Sequence, residues 1–431
     1  MLTKIKMLKI NGGKKLSGVV KISGSKNAAL PIIGACLLLR GKITLNNVPK
    51  IRDVETFLDI ISEIGAKYSW KGNTLILDTK NMESNKLSYE KIKKVRASIF
   101  LLSPLLMHFG KINIPFPGGC NIGKRPIDSH LNSLKKIGFD YKYDGENIKI
   151  SGKLKKGEKI INSGFSVSAT ENSLIANVLR KGKTILKNVA IEPHVMNLVD
   201  LLRKAGADIK IRYSHEIIIE GVEELSSDFE FDIISDYIES GTFMVLAALA
   251  SEKYLDIENA RVCDLYSFIE KLKESGVKIK DLGGDTLRVY RCENIKAVDI
   301  QTNIFPGFPT DLQSPFTILQ TQANGMSKVH EILFEGRLNW FVELEKMGVK
   351  LAILNPHEAI IFGPNNLKPA KVTSWDLRAG MSMVIAGLIS EGKTRVTQIE
   401  YIYRGYENFV EKLKKLGADI EDSSKATIHS S

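Results

Sequence analysis

One pattern of apolar and polar residues recurs six times along the chain. Each copy opens with a run of small and apolar residues, as in NAALPIIGACLLL, GTFMVLAALA and GMSMVIAGLI. A glycine turn, a short β-rich run and an amphipathic helix follow, and the helix ends in Gly-Ala or a close variant. A helix that is apolar on nearly all sides is typical of a protein interior, so we expect each opening helix to be buried.

The closing helices have apolar residues at helical spacing and lysines elsewhere, which is typical of a helix with one buried face. The glycine that ends each of them follows the previous one after 68 to 73 residues. We expect these glycines to adopt the left-handed conformation that terminates a helix. The six glycines are Gly65, Gly138, Gly206, Gly276, Gly348 and Gly417.

The repeats predict an α/β fold. The six copies span Lys26–Tyr68, Arg96–Tyr141, Ala169–Lys210, Glu239–Lys280, Asp311–Leu351 and Asp376–Glu421. Their period of about 70 residues is longer than that of common solenoids, and its constancy disfavours generic α/β patterning. We interpret the copies as six βαβαββ-like repeats, three in each of two domains with a cleft between them. One domain is predicted at residues 22–235 and the other at 1–21 plus 236–431, with Gly221–Asp236 as the weakest seam.

The charge of the chain indicates an anionic partner. The 61 Lys and Arg outnumber the 49 Asp and Glu, for a net charge of +12, and 43% hydrophobic residues exclude wholesale disorder. Aromatic residues make up only 7%, and no basic run is interleaved with the aromatic side chains that stack on single-stranded nucleic acid. Small anions are therefore favoured, and nucleic-acid binding is the alternative.

The chain shows no pattern of membrane insertion or disulfide bonding. The longest near-apolar stretch, Ala28–Leu39, has 12 residues, fewer than the ~20 that span a bilayer. The lysine-containing N-terminus has no apolar run like that of a signal peptide. The cysteines, which lack the spacing of a disulfide framework or a zinc site, are Cys36, Cys120, Cys263 and Cys292. We expect a reduced, cytoplasmic protein.

The stretch PGGCNIGKRP contains a candidate reactive thiol. Its glycines and prolines predict a surface loop, an unusual place for a cysteine that packs in a core. The flanking cations Lys124 and Arg125 favour the thiolate of Cys120, although an incidental surface cysteine is the other interpretation. Cys36, within an apolar run, is expected to be buried. His130, just beyond the loop, is assigned only a substrate contact, because a lone histidine is more often structural.

Charged residues at the starts of the opening helices are further candidates. Lys26 and Asn27 begin the first, where an ammonium beside a helix N-terminus favours an anion; a solvated lysine is the alternative. Asp311 begins the fifth, where an aspartate is ordinarily an N-cap. Asp376 and Arg378 begin the sixth, and a buried Asp–Arg pair is ordinarily structural.

Seven short blocks carry a resemblance to a known family. They are SGSKNAALP (Ser23–Pro31), RAS (Arg96–Ser98), PGGCNIGKRPIDSH (Pro117–His130), FPTDLQ (Phe308–Gln313), FEGR (Phe334–Arg337), DLRA (Asp376–Ala379) and YRGYE (Tyr403–Glu407). Together they resemble the enolpyruvyl transferases, and among these the branch that acts on UDP-N-acetylglucosamine. The resemblance implies an inside-out α/β barrel. It also implies transfer of the enolpyruvyl group of phosphoenolpyruvate to the 3-hydroxyl of UDP-N-acetylglucosamine, with release of phosphate, as the first committed step of peptidoglycan synthesis. No metal, other cofactor, nucleic acid or membrane is implied.

The resemblance further implies roles for individual residues. Cys120 would donate a proton to the C3 methylene of phosphoenolpyruvate, and Asp311, as general base, would remove the proton of the 3-hydroxyl. Lys26, Arg125 and Arg404 would hold phosphoenolpyruvate during catalysis. The residues that would bind the substrates are Lys26, Asn27, Arg96, Arg125, Pro126, Ile127, Asp128, Ser129, Asp311, Leu333, Arg337, Asp376 and Arg378. We expect Cys120 and Asp311 to meet across a shared cationic cleft.

Four positions depart from the pattern of that branch. Gly164 stands where some members have a lysine, Ser168 where a glycine is usual, and Ile191 and Tyr237 where an arginine is typical. These departures leave open a paralogue that acts on another nucleotide or nucleoside. A 5-enolpyruvylshikimate-3-phosphate synthase and a non-catalytic sensor of nucleotide sugars are further alternatives. The cysteine loop disfavours the former, and the retained catalytic candidates disfavour the latter.

Overall fold

The computed structural model describes residues 6–82, 87–116, 118, 122–123, 125–213 and 215–424. Its α-helices are α1 (Lys26–Cys36), α2 (Arg52–Ser62), α3 (Tyr89–Lys94), α4 (Leu102–Phe109), α5 (Asp128–Lys136), α6 (Val167–Asn177), α7 (Pro193–Lys204), α8 (Tyr237–Ala250), α9 (Tyr266–Glu274), α10 (Gln313–Thr321), α11 (Phe341–Lys346), α12 (Leu377–Ile389) and α13 (Phe409–Lys415). Short 3₁₀-helices span Arg96–Leu101, Val262–Asp264, Thr310–Leu312 and Ile399–Arg404.

The β-strands are short, and most lie in hairpins that follow a helix. They are β1 (Met7–Gly12), β2 (Leu16–Lys21), β3 (Lys42–Asn46), β4 (Lys67–Lys71), β5 (Thr74–Asp78), β6 (Lys111–Pro115), β7 (Phe139–Asp144), β8 (Asn147–Gly152), β9 (Lys159–Asn162), β10 (Lys183–Lys187), β11 (Asp208–Arg212), β12 (Glu216–Glu220), β13 (Phe229–Asp232), β14 (Ser251–Glu258), β15 (Ile279–Gly283), β16 (Thr286–Tyr290), β17 (Ile300–Gln301), β18 (Gly325–His330), β19 (Lys350–Asn355), β20 (Glu358–Gly363), β21 (Lys371–Thr373), β22 (Gly392–Thr397) and β23 (Asp419–Asp422).

The described residues form two compact units. The first unit contains the described residues from 24 to 234 except 122 and 123, and the second unit contains residues 6–23, 122–123 and 235–424. The chain passes from one unit to the other at Ser23–Gly24 and at Ile234–Ser235, close to the ends of the interval 22–235 predicted from the repeats. Residues 122 and 123 differ from that prediction, because they belong to the second unit.

The opening helices pack against one another in the middle of each unit. In the second unit α8, α10 and α12 are in mutual contact, and in the first α1 and α4 both contact α6. Nearly every residue of α8 and of α12 is buried. The prediction that the apolar helices are interior is therefore confirmed. Helices inside and sheets outside make up the inside-out α/β barrel of two three-repeat units.

The described strands form six small sheets, five of which share one topology. In β11-β12-β10-β9, for example, β12 pairs antiparallel with β11 and β10, and β9 pairs parallel with β10. Five described sheets have four strands in this arrangement, and one, β6-β8-β7, has three. The helix α3 packs against strand β6 of the three-stranded sheet. Two parallel strands pair with a distant repeat. The strand just before the first repeat, β2, pairs with β14 of the fourth repeat, and the strand just before the fourth repeat, β13, pairs with β3 of the first.

The six closing glycines all have a positive φ, between 84° and 113°. An L-residue with a Cβ adopts this backbone conformation only with strain, so the period of about 70 residues reflects a steric requirement at the end of each closing helix. The predicted left-handed termination is confirmed at all six positions.

The apolar core is divided in the same way as the chain. One cluster of buried side chains lies wholly in the first unit and the other wholly in the second. None of the described helices has both the length and the apolar character that a membrane crossing requires.

Replacing a core aromatic residue should destabilise the second unit. Phe243 of α8 is fully buried, so Phe243→Ala should lower the free energy of unfolding by about 3–5 kcal/mol through lost burial and an unfilled cavity. Equilibrium urea unfolding measures the change. The matched control is Phe362→Ala on β20, where the ring is exposed and the expected loss is under ~1 kcal/mol. Equal losses for the two variants would contradict the buried position of α8.

Candidate active site

A buried charge cluster surrounds Asp311 in the second unit. Asp311 lies in the 3₁₀ turn Thr310–Leu312 that leads into α10. Arg337 donates from Nη2 to Asp311 Oδ1, and Arg378 donates to Oδ2 from Nε at 3.1 Å and from Nη2 at 2.9 Å. The arginine side chains are only 3% and 2% exposed, whereas that of Asp311 is 27% exposed. The side chain of Asp311 is thus partly open to solvent, while two guanidiniums fix the orientation of its carboxylate.

The charges of this cluster stabilise one another. Burial by itself would lower the pKa of Arg337, but the carboxylates of Asp311, Asp376 and Glu331 raise it above its ordinary value. Burial acts on Arg378 in the same direction, but Asp311, Tyr406 and Asp236 together outweigh it, so the pKa of Arg378 is also raised. Both arginines therefore remain protonated at any pH at which the protein is folded.

The capping role expected of Asp311 belongs to Asp376. Asp376 is the N-cap of α12, where its Oδ1 accepts hydrogen bonds from the backbone N–H groups of Arg378 at 2.7 Å and Ala379 at 3.1 Å. The N-cap positions of the 3₁₀ turn and of α10 are Pro309 and Leu312, and the carboxylate of Asp311 lies against the two arginines instead. Asp376 accepts a hydrogen bond from the backbone N–H of Arg378, and the guanidinium of Arg378 bonds to Asp311 instead. Asp376 therefore orients Arg378 by fixing the first turn of α12.

Glu331, which the sequence analysis missed, connects the turn around Asp311 to the loop that bears Arg337. It is fully buried. Its Oε2 accepts a hydrogen bond from the hydroxyl of Thr310 at 2.7 Å, and its Oε1 accepts from the backbone N–H of Leu333 at 2.9 Å. A further bond comes from Thr302 Oγ1 at 2.9 Å. A charged residue at the end of a strand has no distinctive sequence signal, which is why it was missed.

Tyr406, also missed, packs against the guanidinium of Arg378. The ring centroid lies 5.4 Å from Arg378 Cζ, and the hydroxyl of Tyr406 is 3.0 Å from Thr242 Oγ1 on α8. Burial raises the pKa of Tyr406, and the positive charge of Arg378 opposes that shift. Tyr406 therefore supports Arg378 from the side of the core.

Two other residues that the sequence analysis assigned to the site, Leu333 and Arg404, are close in sequence to Glu331 and Tyr406. Leu333 is exposed in the loop that follows β18, and its backbone is held by Glu331. Arg404 is half-buried at the end of the 3₁₀-helix Ile399–Arg404, two residues before Tyr406. Among the described residues, no group of three or more His, Cys, Asp and Glu side chains is arranged to hold a metal ion.

In the first unit, Lys26 is the first residue of α1. Ser25 caps this helix by accepting a hydrogen bond from the backbone N–H of Ala28. Lys26 Nζ lies 3.7 Å from Asp53 Oδ2, and the two side chains are only 16% and 6% exposed. The interpretation of Lys26 as a solvated lysine is therefore wrong. Asn27, next along the helix, is half-buried.

Two arginines of the first unit are neighbours. Arg96 begins the 3₁₀-helix Arg96–Leu101, and its Nη2 donates to the backbone oxygen of Arg125 at 2.6 Å. Burial, and then the positive charge of Arg125, lower the pKa of Arg96 to about 10. Arg96 is still protonated at neutral pH, so this corner of the unit concentrates positive charge and favours an anion.

The segment 125–129 that was expected to follow the nucleotide is only partly exposed. Arg125, Pro126 and Asp128 are exposed and Ser129 is half-buried, with Asp128 at the start of α5. The side chain of Ile127 belongs to the apolar core. Only the backbone of Ile127 is therefore a candidate for a contact with substrate.

His130 does not lie on the surface, contrary to the expected substrate contact. It is 2% exposed and sits between Ser168 Oγ at 3.0 Å and Asn172 Nδ2 at 3.2 Å. Burial, and then the charge of Arg96, lower the pKa of His130 to about 3, so the imidazole is neutral. Ser168, one of the departures from the family pattern, is thereby the partner of a buried histidine.

Cys120 lies outside the described residues, and its role stays a prediction. Two residues further on, Ile122 is buried, and its backbone oxygen accepts a hydrogen bond from the N–H of Gly336 at 3.0 Å. Gly123 has a φ of +125°, a conformation that a residue with a Cβ adopts only with strain. The chain that follows the cysteine is therefore anchored beside the residue that precedes Arg337.

Glu171 is a buried acid that the sequence analysis did not single out. It lies on α6 and is 1% exposed, and its Oε1 has no hydrogen-bond partner among the described residues. Burial, and then the negative charge of Glu192, raise the pKa of Glu171 well above its ordinary value. A glutamate within an apolar opening helix was the sequence signal that could have identified it.

Comparison with known proteins identifies the family. Residues 10–413 match the family model for EPSP synthase (3-phosphoshikimate 1-carboxyvinyltransferase). The chain belongs to this family. Its curated relatives include UDP-N-acetylglucosamine 1-carboxyvinyltransferase 2 of Listeria monocytogenes, 42% identical over 97% of this chain and 98% of that protein. The enzyme of the same name from Streptococcus mutans is 41% identical over 96% and 98%. The resemblance drawn from the seven sequence blocks is confirmed.

Two solved structures have the same fold as this chain. The enolpyruvyl transferase NikO from Streptomyces tendae superposes with a TM-score of 0.88 at 24% identity, covering 97% of this chain and 99% of NikO. EPSP synthase from Acinetobacter baumannii gives a TM-score of 0.71 at 19% identity, covering 97% and 100%. These likenesses bear out the predicted fold class.

Removing the buried acid on α6 should change the pH dependence of stability. Because the pKa of Glu171 is raised on folding, the unfolded chain releases this proton at a lower pH than the folded chain. Stability is therefore lost as pH rises from the ordinary value of 4.5 towards the raised one. The side chain of Glu171→Gln is neutral at every pH. This variant should therefore be more stable than the original protein at pH 8, and its free energy of unfolding should fall less as pH rises.

Urea unfolding between pH 5 and pH 8.5 measures the effect. The matched control is Glu223→Gln, because the side chain of Glu223 is 87% exposed and its replacement should leave the slope unchanged. A Glu171→Gln protein with the original slope and no gain at pH 8 would contradict the raised pKa.

Proposed function

We propose that the chain transfers the enolpyruvyl group of phosphoenolpyruvate to the 3-hydroxyl of UDP-N-acetylglucosamine and releases inorganic phosphate. Relatives that are 41–42% identical over nearly their full length have the name of this activity. The observation that carries the proposal is the carboxylate of Asp311, which is held between two buried guanidiniums and partly open to solvent. The proposed reaction takes place in the cytoplasm and is the first committed step of peptidoglycan synthesis.

Asp311 is the proposed general base. Hydrogen bonds to a charged carboxylate favour its ionised form, so Asp311 is ready to accept a proton at neutral pH. Three hydrogen bonds from Arg337 and Arg378 fix the orientation of its carboxylate. Positioned proton transfer of this kind typically accelerates a reaction by ~10²–10⁴.

The proposed reaction is an addition followed by an elimination. A proton added to C3 of phosphoenolpyruvate makes C2 electrophilic, and the 3-hydroxyl oxygen bonds to C2 while its proton passes to Asp311. The C2–O bond to phosphate then breaks, and loss of a proton from C3 restores the double bond. The products are the enolpyruvyl ether and inorganic phosphate. Cys120 is the proposed proton donor to C3.

Cationic residues are the proposed binding groups for the anionic substrates. Lys26, Arg125 and Arg404 are assigned to phosphoenolpyruvate, whose carboxylate and phosphate pair well with ammonium and guanidinium groups. The proposed contacts to the sugar nucleotide are Asn27, Arg96, Pro126, the backbone of Ile127, Asp128, Ser129 and Leu333. The low exposure of Lys26 supports its assignment, because a half-hidden ammonium binds an anion with less competition from water.

The reaction and the thiol can be tested together. Inorganic phosphate should appear when both substrates are supplied and not with either alone. Cys120→Ala should reduce the rate at least ~100-fold, the usual contribution of a positioned proton donor. Cys263→Ala, which removes an exposed thiol elsewhere in the second unit, should retain the original rate. Phosphate release by Cys120→Ala at the original rate would refute the proposed role of the thiol, and no release by the original protein would refute the reaction.

The general base has its own test. Asp311→Asn keeps the shape of the side chain but cannot take up the proton, so kcat should fall by ~10²–10⁴. The control Asp299→Asn changes an exposed carboxylate whose Oδ1 accepts a backbone hydrogen bond from Lys328, and it should leave kcat unchanged. Circular dichroism checks that both variants are folded. An Asp311→Asn enzyme with a folded spectrum and normal kcat would show that another group removes the proton.

A different acceptor is the second candidate. Ser168 in the first turn of α6 and Gly164 just before it depart from the family pattern. Ser168 contacts His130, which follows the segment 125–129, and a Cβ on Gly164 would lie 3.8 Å from Ser129 Oγ. A panel of UDP-sugars and nucleosides in the same phosphate-release assay compares the candidates. Faster turnover with an acceptor other than UDP-N-acetylglucosamine would favour the specialised paralogue.

A further inference from the structure

A tyrosine next to Arg404 is bonded to the last strand that the structure describes. Tyr403 and Arg404 end the 3₁₀-helix Ile399–Arg404, and the hydroxyl of Tyr403 donates a hydrogen bond to Asp422 Oδ2. Asp422 is the last residue of β23 and is only 6% exposed. Because a 3₁₀-helix has about three residues per turn, neighbouring side chains project about 120° apart. The bond therefore holds the helix on one side, while Arg404 projects to another.

The hydrogen bond between Tyr403 and Asp422 is charge-assisted. Ser424 donates to Asp422 Oδ1 from its backbone N–H at 2.8 Å and from its hydroxyl at 2.6 Å, so both carboxylate oxygens accept hydrogen bonds. Burial, and then the hydrogen bond to Asp422, raise the pKa of Tyr403, and the phenol therefore keeps its proton as the donor. A bond from a neutral donor to an ionised acceptor is stronger than one between two neutral groups.

A sheet fixes the position of Asp422. Strand β23 pairs antiparallel with β1, and Asp422 lies opposite Leu8 in that pair. The next residue, Ser423, donates from its backbone N–H to the backbone oxygen of Met7 at 3.0 Å, and its Oγ accepts from the backbone N–H of Met7 at 3.1 Å. The carboxylate is therefore carried by paired strands, and Tyr403 bonds to an acceptor whose backbone is held in place.

The other side of Arg404 is fixed by the core. The backbone N–H groups of Gly405 and Tyr406 both donate to the backbone oxygen of Ile402 at 3.1 Å, and Ile402 is fully buried. The ring centroid of Tyr406 lies 5.4 Å from Arg378 Cζ. The backbone of Arg404 therefore lies between two aromatic residues, each of which is anchored to a different part of the second unit.

We propose that Tyr403 and Asp422 are positioning residues, whose hydrogen bond sets the backbone of Arg404 so that its guanidinium meets phosphoenolpyruvate. The proposal deepens the proposed function and rests on it for the role of Arg404. The pairing of a guanidinium with a phosphate or carboxylate depends on direction as well as on charge. Loss of the bond should therefore weaken the contact with phosphoenolpyruvate and leave the contacts with the sugar nucleotide as they are.

Steady-state phosphate release measures the effect of the hydroxyl. Tyr403→Phe keeps the ring, and KM for phosphoenolpyruvate should rise about tenfold, the lower end for loss of a hydrogen bond to a charged group. KM for UDP-N-acetylglucosamine should not change. The matched control is Tyr68→Phe on β4, whose hydroxyl donates to Asp59 Oδ1 at 3.4 Å; both constants should be those of the original protein. An unchanged KM for phosphoenolpyruvate in Tyr403→Phe, or equal rises in both constants, would overturn the proposal.

Two variants of Asp422 test the acceptor. Asp422→Asn retains an amide that can bond to the phenol, whereas Asp422→Ala removes the partner altogether. KM for phosphoenolpyruvate should therefore rise more in Asp422→Ala than in Asp422→Asn. Circular dichroism and urea unfolding check that both variants are folded. A folded Asp422→Ala protein with the original KM, or a larger rise in Asp422→Asn, would count against the positioning role.

A double-mutant cycle shows whether Tyr403 acts through Arg404. In an Arg404→Ala background no guanidinium remains to be positioned, so Tyr403→Phe should cause no further loss of kcat/KM for phosphoenolpyruvate. A hydroxyl with a merely structural role would lower the free energy of unfolding without this dependence on Arg404. The same loss in both backgrounds would therefore overturn the proposal.

Calorimetric titration with phosphoenolpyruvate separates this proposal from the proposed reaction. The titration is done in the presence of UDP, which has no sugar hydroxyl to accept the enolpyruvyl group. If the original protein releases no phosphate but Tyr403→Phe binds phosphoenolpyruvate more weakly, the reaction fails and the positioning stands. If phosphate is released and both proteins bind phosphoenolpyruvate equally well, the positioning fails and the reaction stands. Failure of the original protein to bind phosphoenolpyruvate would overturn the positioning, because Arg404 would then have no such ligand.

Discussion

The arrangement of the second unit depends on the carboxylate of Asp311 and its two buried arginines. Arg337 and Arg378 are almost completely removed from water, and a buried guanidinium without a counter-charge is strongly destabilising. The carboxylate therefore has to lie where both can reach it. This requirement ties together the turn before α10, the loop after β18 and the first turn of α12.

Neighbouring groups make that cluster rigid. Glu331 bonds to both the turn and the loop, and Asp376 holds the backbone of Arg378 at the helix terminus. If Asp311 is the general base proposed above, this support keeps its orientation without an entropic loss during the reaction. Through these contacts Glu331 supports the cluster although it is fully buried.

The inside-out architecture determines where chemistry is available. The bodies of the opening helices are buried and packed together, and several of their polar side chains lie in their first turns. Lys26 begins α1, Ser168 lies in the first turn of α6, and Arg378 in that of α12. The N-termini of helices have unpaired N–H groups and a partial positive charge, which matches the anionic substrates proposed for this chain.

The amino-acid sequence by itself determined the repeats, the burial of the opening helices and the left-handed glycines. These features follow from local periodicity and from the steric properties of single residues. The tertiary structure alone decided the partners of the side chains. Arg378 is 67 residues from Asp311 along the chain, and His130 meets Ser168 across two packed helices. Such pairs depend on how helices pack, and periodicity has no information about that packing. For this reason the N-cap interpretation of Asp311 was wrong and the burial of His130 was not foreseen, whereas the fold was predicted correctly.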